Sequence, residues 1–181
     1  MEKLTYGDVY ELYFTLISLS SFRPSAKVGY AFARNRAFLK PIVVSLEEIR
    51  KVEDPKLEEY NRKRNDLLIR YSKDNEGKPR TRRTPDGGVA YDIPDDKLGA
   101  YDKDLKKLRE EYKDLVEKIE DAERKFQDQL KEVIPEDENL RLFKIPLSVI
   151  PDHELTQSQF NALFPIFRCE DDDLFKEKNK S

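Results

Sequence analysis

The sequence predicts a mainly α fold with a minor β component. It is read as a long antiparallel helical coiled-coil hairpin with a small β-hairpin at its tip, packed at its base with an N-terminal helix and a short C-terminal strand and helix. Three observations carry this reading. First, Leu98, Tyr101, Leu105, Leu108, Tyr112, Leu115, Ile119, Ala122, Phe126 and Leu130 recur in steps of three and four, with Asp, Glu, Lys, Arg or Gln filling most positions between them. Such spacing keeps a narrow apolar stripe on one side of a helix, of the kind another helix buries. Second, Val28, Phe32, Asn35, Leu39, Ile42, Leu46 and Ile49, followed by Leu57, Tyr60, Arg64, Leu67 and Tyr71, repeat that stepping and supply a second arm of matching length. Third, a Thr- and Arg-containing run at 79–84 and the alternating Val89, Tyr91 and Ile93 flank Pro85-Asp86-Gly87-Gly88. Alternation suits strands, and Asp-Gly-Gly supplies the positive φ that tight hairpin turns need.

Along the chain, Thr5 precedes an apolar helical pattern from Tyr6 to Leu19, with Asp8 and Glu11 in its early turns, where acids favour the positive end of the helix dipole. Residues 20–24 make a connection, and Ser25 is placed to cap the next helix. Pro41 removes a backbone donor from that helix, which should kink it or split it into two segments, and a kink is expected there. Asp54-Pro55 restarts the pattern with a capping residue and a proline at the first helical position, and Asp74 to Gly77 end the arm. The long stripe runs on to Ile134, where Pro135 stops it; at about 1.5 Å per residue this is a rod of roughly 55 Å. After an acidic turn at 136–139, residues 140–145 alternate as a short strand, and Thr156 with Gln159 forms a capping-box signature for a short helix ending near Pro165. One elongated domain, 1–168, is expected, with arms at 25–72 and 98–134 and the tip at 78–94. Residues 169–181 are expected to be a disordered charged tail.

Composition narrows function more than it reveals it. With 39% charged and 38% hydrophobic residues and a mean hydropathy of −0.81 in 181 residues, the chain reads as soluble and helical with thin layers. One Cys169 and one His153 exclude a Cys/His metal cluster within one chain. The apolar run of residues 9–19 is too short to span a bilayer, and a cytoplasmic setting is expected. The 37 acids lie mostly among basic neighbours, without a Gly-rich phosphate loop or nucleophile elbow. No catalytic residue, metal site or cofactor is therefore assigned, and His153, after Pro151-Asp152, reads as a turn or cap residue.

Two basic segments stand out against a net charge of −3. Lys78, Arg80, Arg82 and Arg83 lie in an acid-free run at the expected tip and, with Tyr91, form the leading site for a protein partner, since loops on rigid scaffolds carry binding residues. The plainer reading is an edge strand charged against aggregation. From Ser20 to Leu46 there is no acid but there are Arg23, Lys27, Arg34, Arg36 and Lys40, which suits a phosphate or an acidic partner or simple pairing with the chain's own acids. Lys27 to Phe32 has the look of an RNA-binding aromatic strand, but its aromatics fall at helical spacing and the four-stranded context is absent.

Several segments together resemble a family of small proteins of tailed bacteriophages and prophages. They are Leu4-Thr5 with its Tyr-rich helix, Pro24 to Asn35 around Lys27 and Tyr30, Leu39-Lys40-Pro41, Arg70-Tyr71-Ser72-Lys73-Asp74, and Leu155-Thr156 through Leu163-Phe164-Pro165-Ile166. That resemblance implies a phage setting, in the host cytoplasm or associated with the virion, and no reaction. The expectation is a non-enzymatic interaction protein, an assembly factor or an inhibitor of a host defence protein. Nucleic-acid binding through the Arg23–Lys40 segment is the alternative, and a homodimer through the arms is a further expectation because a second copy can close the same stripe.

Overall fold

The computed structural model describes residues 3–19, 25–74, 76–84, 88–135, 140–147 and 155–168. Among them it is mostly helical, with two small sheets. Backbone packing groups the chain into two compact units, Met1–Arg50 with Arg124–Ser181, and Lys51–Glu123. The connection at 20–24 with Arg23, Asn75, the turn residues Pro85 to Gly87, the acidic turn at 136–139, His153 and residues 169–181 lie outside the described residues.

In the first unit, helix α1 (Tyr6–Ser18) begins where its cap dictates. Thr5 Oγ1 accepts from Asp8 N, and the Asp8 carboxylate accepts from Thr5 N, closing a capping box. Helix α2 (Ala26–Ile49) runs as one helix through Pro41, so the alternative of a split into two segments does not occur there. Pro41 still cannot donate to the carbonyl of Ala37. One turn on, Ser45 Oγ donates to Pro41 O at 3.1 Å. Ser25 precedes α2 without a capping hydrogen bond from its side chain.

Val9, Leu12 and Leu16 of α1 and Val28, Phe32, Leu39 and Val43 of α2 share one buried core with Ile134, Ile145, Leu163 and Ile166. Each large apolar side chain so buried contributes about 1.5–3 kcal/mol. The C-terminal pieces join this core because α6 (Gln157–Leu163), opened by the Thr156–Gln159 capping box, packs on α1 and continues into a 3-10 turn at Phe164–Ile166. The strand expected over 140–145 is shorter: β3 (Ile145–Pro146) pairs in parallel with β4 (Phe167–Arg168), and 140–144 is irregular. Phe143 there is bound to a side chain instead. Asn35, 1% exposed on the inner side of α2, accepts from Phe143 N at 2.7 Å and donates to Phe143 O at 3.0 Å.

Helix α5 (Lys113–Lys131) ends three residues before the expected Ile134. Glu132 O accepts from Tyr6 N at 3.0 Å and Ile134 N donates to Leu4 O at 2.9 Å, so the start of the chain captures these backbone groups. Gly7 belongs to the same approach: a Cβ there would stand 2.9 Å from Leu130 O.

In the second unit, the pattern restarts at α3 (Leu57–Ser72), two residues after Pro55, with Asp54 Oδ1 accepting from Lys56 N and Asp54 O from Leu57 N. Between α2 and α3 the helix is interrupted at 50–56, so the first arm is two helices. Helix α4 (Asp95–Glu111) lies antiparallel to α3, since Tyr60 meets Tyr112 and Tyr71 meets Tyr101 at ring centroids 5.5 and 5.8 Å apart. Leu67, Leu108, Leu115 and Val116 complete this core. The stripe is thus covered within the chain along α4. The long helix expected from Leu98 to Ile134 is also interrupted, at Tyr112, whose φ of −111° and ψ of 32° leave the helical region. No Gly or Pro marks that place. Tyr112 N still donates to Leu108 O and Val116 N to Tyr112 O, and the Tyr112 ring packs on Tyr60 and lies under the Lys63 ammonium at 4.9 Å.

Candidate functional site

The hairpin is present at its expected position. Strands β1 (Thr81–Arg83) and β2 (Val89–Tyr91) pair antiparallel with Thr81 opposite Tyr91, Arg82 opposite Ala90 and Arg83 opposite Val89. Its foot is a tight turn in which Asp74 Oδ1 accepts from Glu76 N and Lys78 N, both at 2.9 Å, and Gly77 adopts φ +80°. Positive φ is open to glycine without steric cost. Arg80 N donates to Ser72 O at 2.8 Å, tying β1 to the end of α3.

This register divides the candidate residues. Arg80 and Arg82 share one face, and Arg80 is held by Asp92 at 2.9 Å. Lys78 pairs with Glu76 at 3.0 Å. Tyr91 is half-buried. Arg82 and Arg83 are exposed, and among the described residues neither has an ion-pair partner. Beside Arg83 stands Val89, 72% exposed. Sequence alternation placed Val89 on a strand but could not say that nothing covers it.

The second basic segment is not one surface. Arg23 lies outside the described residues. Lys27, Arg34, Arg36 and Lys40 are all exposed on α2, but at about 100° per residue Arg34 and Arg36 point roughly 160° apart. Lys27 and Arg34, seven residues apart, fall on one side, and Arg36 and Lys40 on the other. Arg34 Nη1 donates to Tyr30 OH at 2.9 Å and its guanidinium lies 5.8 Å from the Phe143 ring centre. Lys27, Arg36 and Lys40 have no ion pair among the described residues.

The side of α2 that bears Lys27 and Arg34 continues into a groove of about 470 Å³ walled by Tyr6, Phe38, Pro41, Ile42, Ile49 and Gln129. Phe38, Pro41, Ile42, Ser45 and Ile49 form a second apolar row beside the core stripe, at spacings of three, four, seven and eleven from Phe38. That row was readable in the sequence and was hidden by the stronger stripe next to it. A cleft of about 600 Å³ at the start of α5 is of opposite character, lined by Asp54, Lys56, Glu110, Lys113 and Lys118. Two of its charges, Asp54 and Lys118, satisfy each other. Asp54 bonds Lys118 Nζ at 2.7 Å, which holds the Asp54 carboxyl below its ordinary range and pushes the Lys118 ammonium up.

Elsewhere in the second unit, Tyr71 OH donates to Asp104 at 2.7 Å, lowering the Asp104 carboxyl and raising the Tyr71 hydroxyl. Lys63 is raised, chiefly by Glu111 at 2.7 Å. These are surface and seam pairs. Among the described residues no group of three or more His, Cys, Asp or Glu stands close enough to hold a metal ion. None of the described helices is long and apolar enough to cross a membrane.

Comparison of the chain with protein-family models, with curated proteins and with solved structures returns no match.

Proposed function

We propose that this chain is a non-enzymatic interaction protein that presents its β1–β2 hairpin to an acidic protein surface. The observation that carries the reading is that Arg82 and Arg83, on strand β1 whose side chains are all exposed, have no ion pair among the described residues and stand beside Val89 of β2, itself 72% exposed. Arg is enriched at protein contacts, and Val89 offers an apolar contact directly beside Arg83. Helices α3 and α4 supply a stiff mount, and we extend the proposal to a coiled-coil hairpin as the form of that mount. The phage setting, as an assembly factor or an inhibitor of a host protein, rests on the sequence resemblance alone.

The test is capture of a partner from a bacterial host lysate by the full chain, repeated with Arg82→Ser/Arg83→Ser and with Val89→Ser. Loss of the same partner from both variants is expected, together with release at high salt. A partner that stays bound to both variants removes the hairpin from the interaction.

The second reading is a nucleic-acid accessory role, supported by Arg36 and Lys40, which share one side of α2 and have no ion pair among the described residues. It requires affinity for DNA or RNA that falls steeply with salt, and absence of any shift at low salt ends it.

A further inference from the structure

We infer that α2 pairs antiparallel with α2 of a second copy of this chain through its outer face, about a twofold axis at Pro41, with Arg34 of each copy set against Glu48 of the other. This goes beyond the hairpin reading and does not depend on it, since every residue involved lies in the first unit.

Helical phase carries the first step. Val28, Phe32, Leu39 and Val43 hold the core side of α2. At about 100° per residue Pro41 points roughly 160° away from Leu39, and Ala37, Phe38, Val44 and Ser45 fall within about 60° of the Pro41 direction. All five are exposed, Phe38 by 40% and Val44 by 50%. The one polar side chain of the five, Ser45, donates its hydroxyl to Pro41 O on the same helix at 3.1 Å, so it asks nothing of a neighbour. A contiguous apolar strip, unlike single exposed side chains, marks an interaction surface.

Charge order says what covers it. Arg34 lies seven residues before Pro41 and Glu48 seven residues after it, each about 10 Å along the axis and within about 20° of the Pro41 direction. Both are exposed. The strip therefore carries a cation at one end, an acid at the other and no charge between them, and a twofold rotation at its centre exchanges the two ends. A surface that is its own complement under a twofold axis is what an isologous dimer requires. A uniformly acidic or basic partner would set a like charge against one end.

Laid antiparallel, Phe38 meets Ser45 of the other copy, Ala37 meets Val44, Pro41 meets Pro41, and Arg34 meets Glu48 at both ends. Arg34 donates one N–H to Tyr30 OH at 2.9 Å, and a guanidinium has five such donors, so it can hold the carboxylate as well. Packed helix axes lie roughly 8–10 Å apart with Cα atoms about 2.3 Å from each axis, which brings the two Pro41 Cα atoms to about 5 Å.

The experiment is sedimentation equilibrium of the full chain, with disulfide trapping in a Cys169→Ser background. Expected is a reversible monomer–dimer equilibrium that Arg34→Glu weakens about tenfold and Glu48→Arg weakens similarly, because each sets two like pairs where two opposite pairs stood. Arg34→Glu/Glu48→Arg together should bring it back to within about threefold of the parent. Pro41→Cys, at the axis, should trap a covalent dimer on mild oxidation, whereas Arg36→Cys, about 140° round the helix, should not. A chain monomeric at every concentration overturns the inference. So does a dimer that ignores the single substitutions or is not restored by the exchange, and so does trapping at Arg36→Cys equal to that at Pro41→Cys. If Arg34→Glu loosens the contact of Arg34 with the Phe143 ring, Glu48→Arg and the trapping pair still decide.

Discussion

Removing the Asn35 side chain tests the joint on which the first unit's C-terminal segment hangs. In Asn35→Ala, Phe143 N–H and C=O both lose their partner at a position where Asn35 is 1% exposed. Each orphaned group costs about 1–3 kcal/mol, and Phe143 is only partly buried, so the pair comes to about 2–4 kcal/mol. For a chain of this size 1 kcal/mol moves the melting temperature by about 2–4 °C, which gives a drop of about 5–15 °C in a thermal melt followed by circular dichroism. Asn35→Asp separates hydrogen bonding from volume. One carboxylate oxygen still accepts from Phe143 N, but the other faces Phe143 O and repels it while ionised, which raises the carboxyl's folded-state pKa. An acid whose folded pKa is raised gains stability as pH falls, because the protonated form can donate to Phe143 O. The gap between Asn35→Asp and the parent must therefore narrow from pH 7 to pH 4. An alanine variant that melts within about 1 °C of the parent, or an aspartate gap indifferent to pH, refutes the account of this joint.

Gly7→Ala places a methyl 2.9 Å from Leu130 O, an obstacle that is backbone and cannot swing away. The urea midpoint should fall by the equivalent of about 1–3 kcal/mol despite the better helix propensity of alanine. Pro41→Ala restores a donor toward Ala37 O inside α2 and should raise the melting temperature; a decrease would mean that the proline is required where it stands. Asp54, Glu59 and Asp104 are all held below their ordinary range, by Lys118, by Tyr112 and by Tyr71 respectively as the leading causes. A lowered folded pKa contributes stability above the unfolded value and loses it as pH falls through the folded one. Melts of the parent should therefore decline below about pH 4.5, and Asp54→Asn/Glu59→Gln/Asp104→Asn together should flatten that decline. Phe126→Ala, at a residue 2% exposed with Arg50 4.9 Å from the ring centre, should cost about 3–5 kcal/mol by chemical denaturation.

Much of the secondary structure is legible in local chemistry. Thr5 with Asp8, and Thr156 with Gln159, announce helix starts because each pair satisfies its own orphan backbone donors within one turn. The hairpin was readable for the same reason, since the alternation of Val89 and Tyr91 follows from strand geometry alone. The charged residues were legible as a list but not as surfaces. Whether Arg80 is free depends on Asp92 across the strands, twelve residues away, and whether the four cations on α2 make one face depends on helical phase and on what packs beside them. The interruption at Tyr112 left no signal at all in the local pattern, and the groups that contact its ring, Tyr60 and Lys63, lie about fifty residues earlier in the chain.

By itself the sequence determined that the chain is mainly helical, where its capped helices begin, that a short antiparallel hairpin separates α3 from α4, and which apolar residues form the stripes. Those are consequences of periodicity and of hydrogen bonds closed within a few residues. Tertiary structure decided where the helices stop, since Glu132 and Ile134 give their backbone groups to the first residues of the chain. It decided that Asn35 serves a distant loop rather than a helical seam, that Arg82, Arg83 and Val89 remain uncovered, and that a groove opens beside the α2 stripe. Each depends on a partner far away in sequence, and local pattern holds no information about which distant group will arrive.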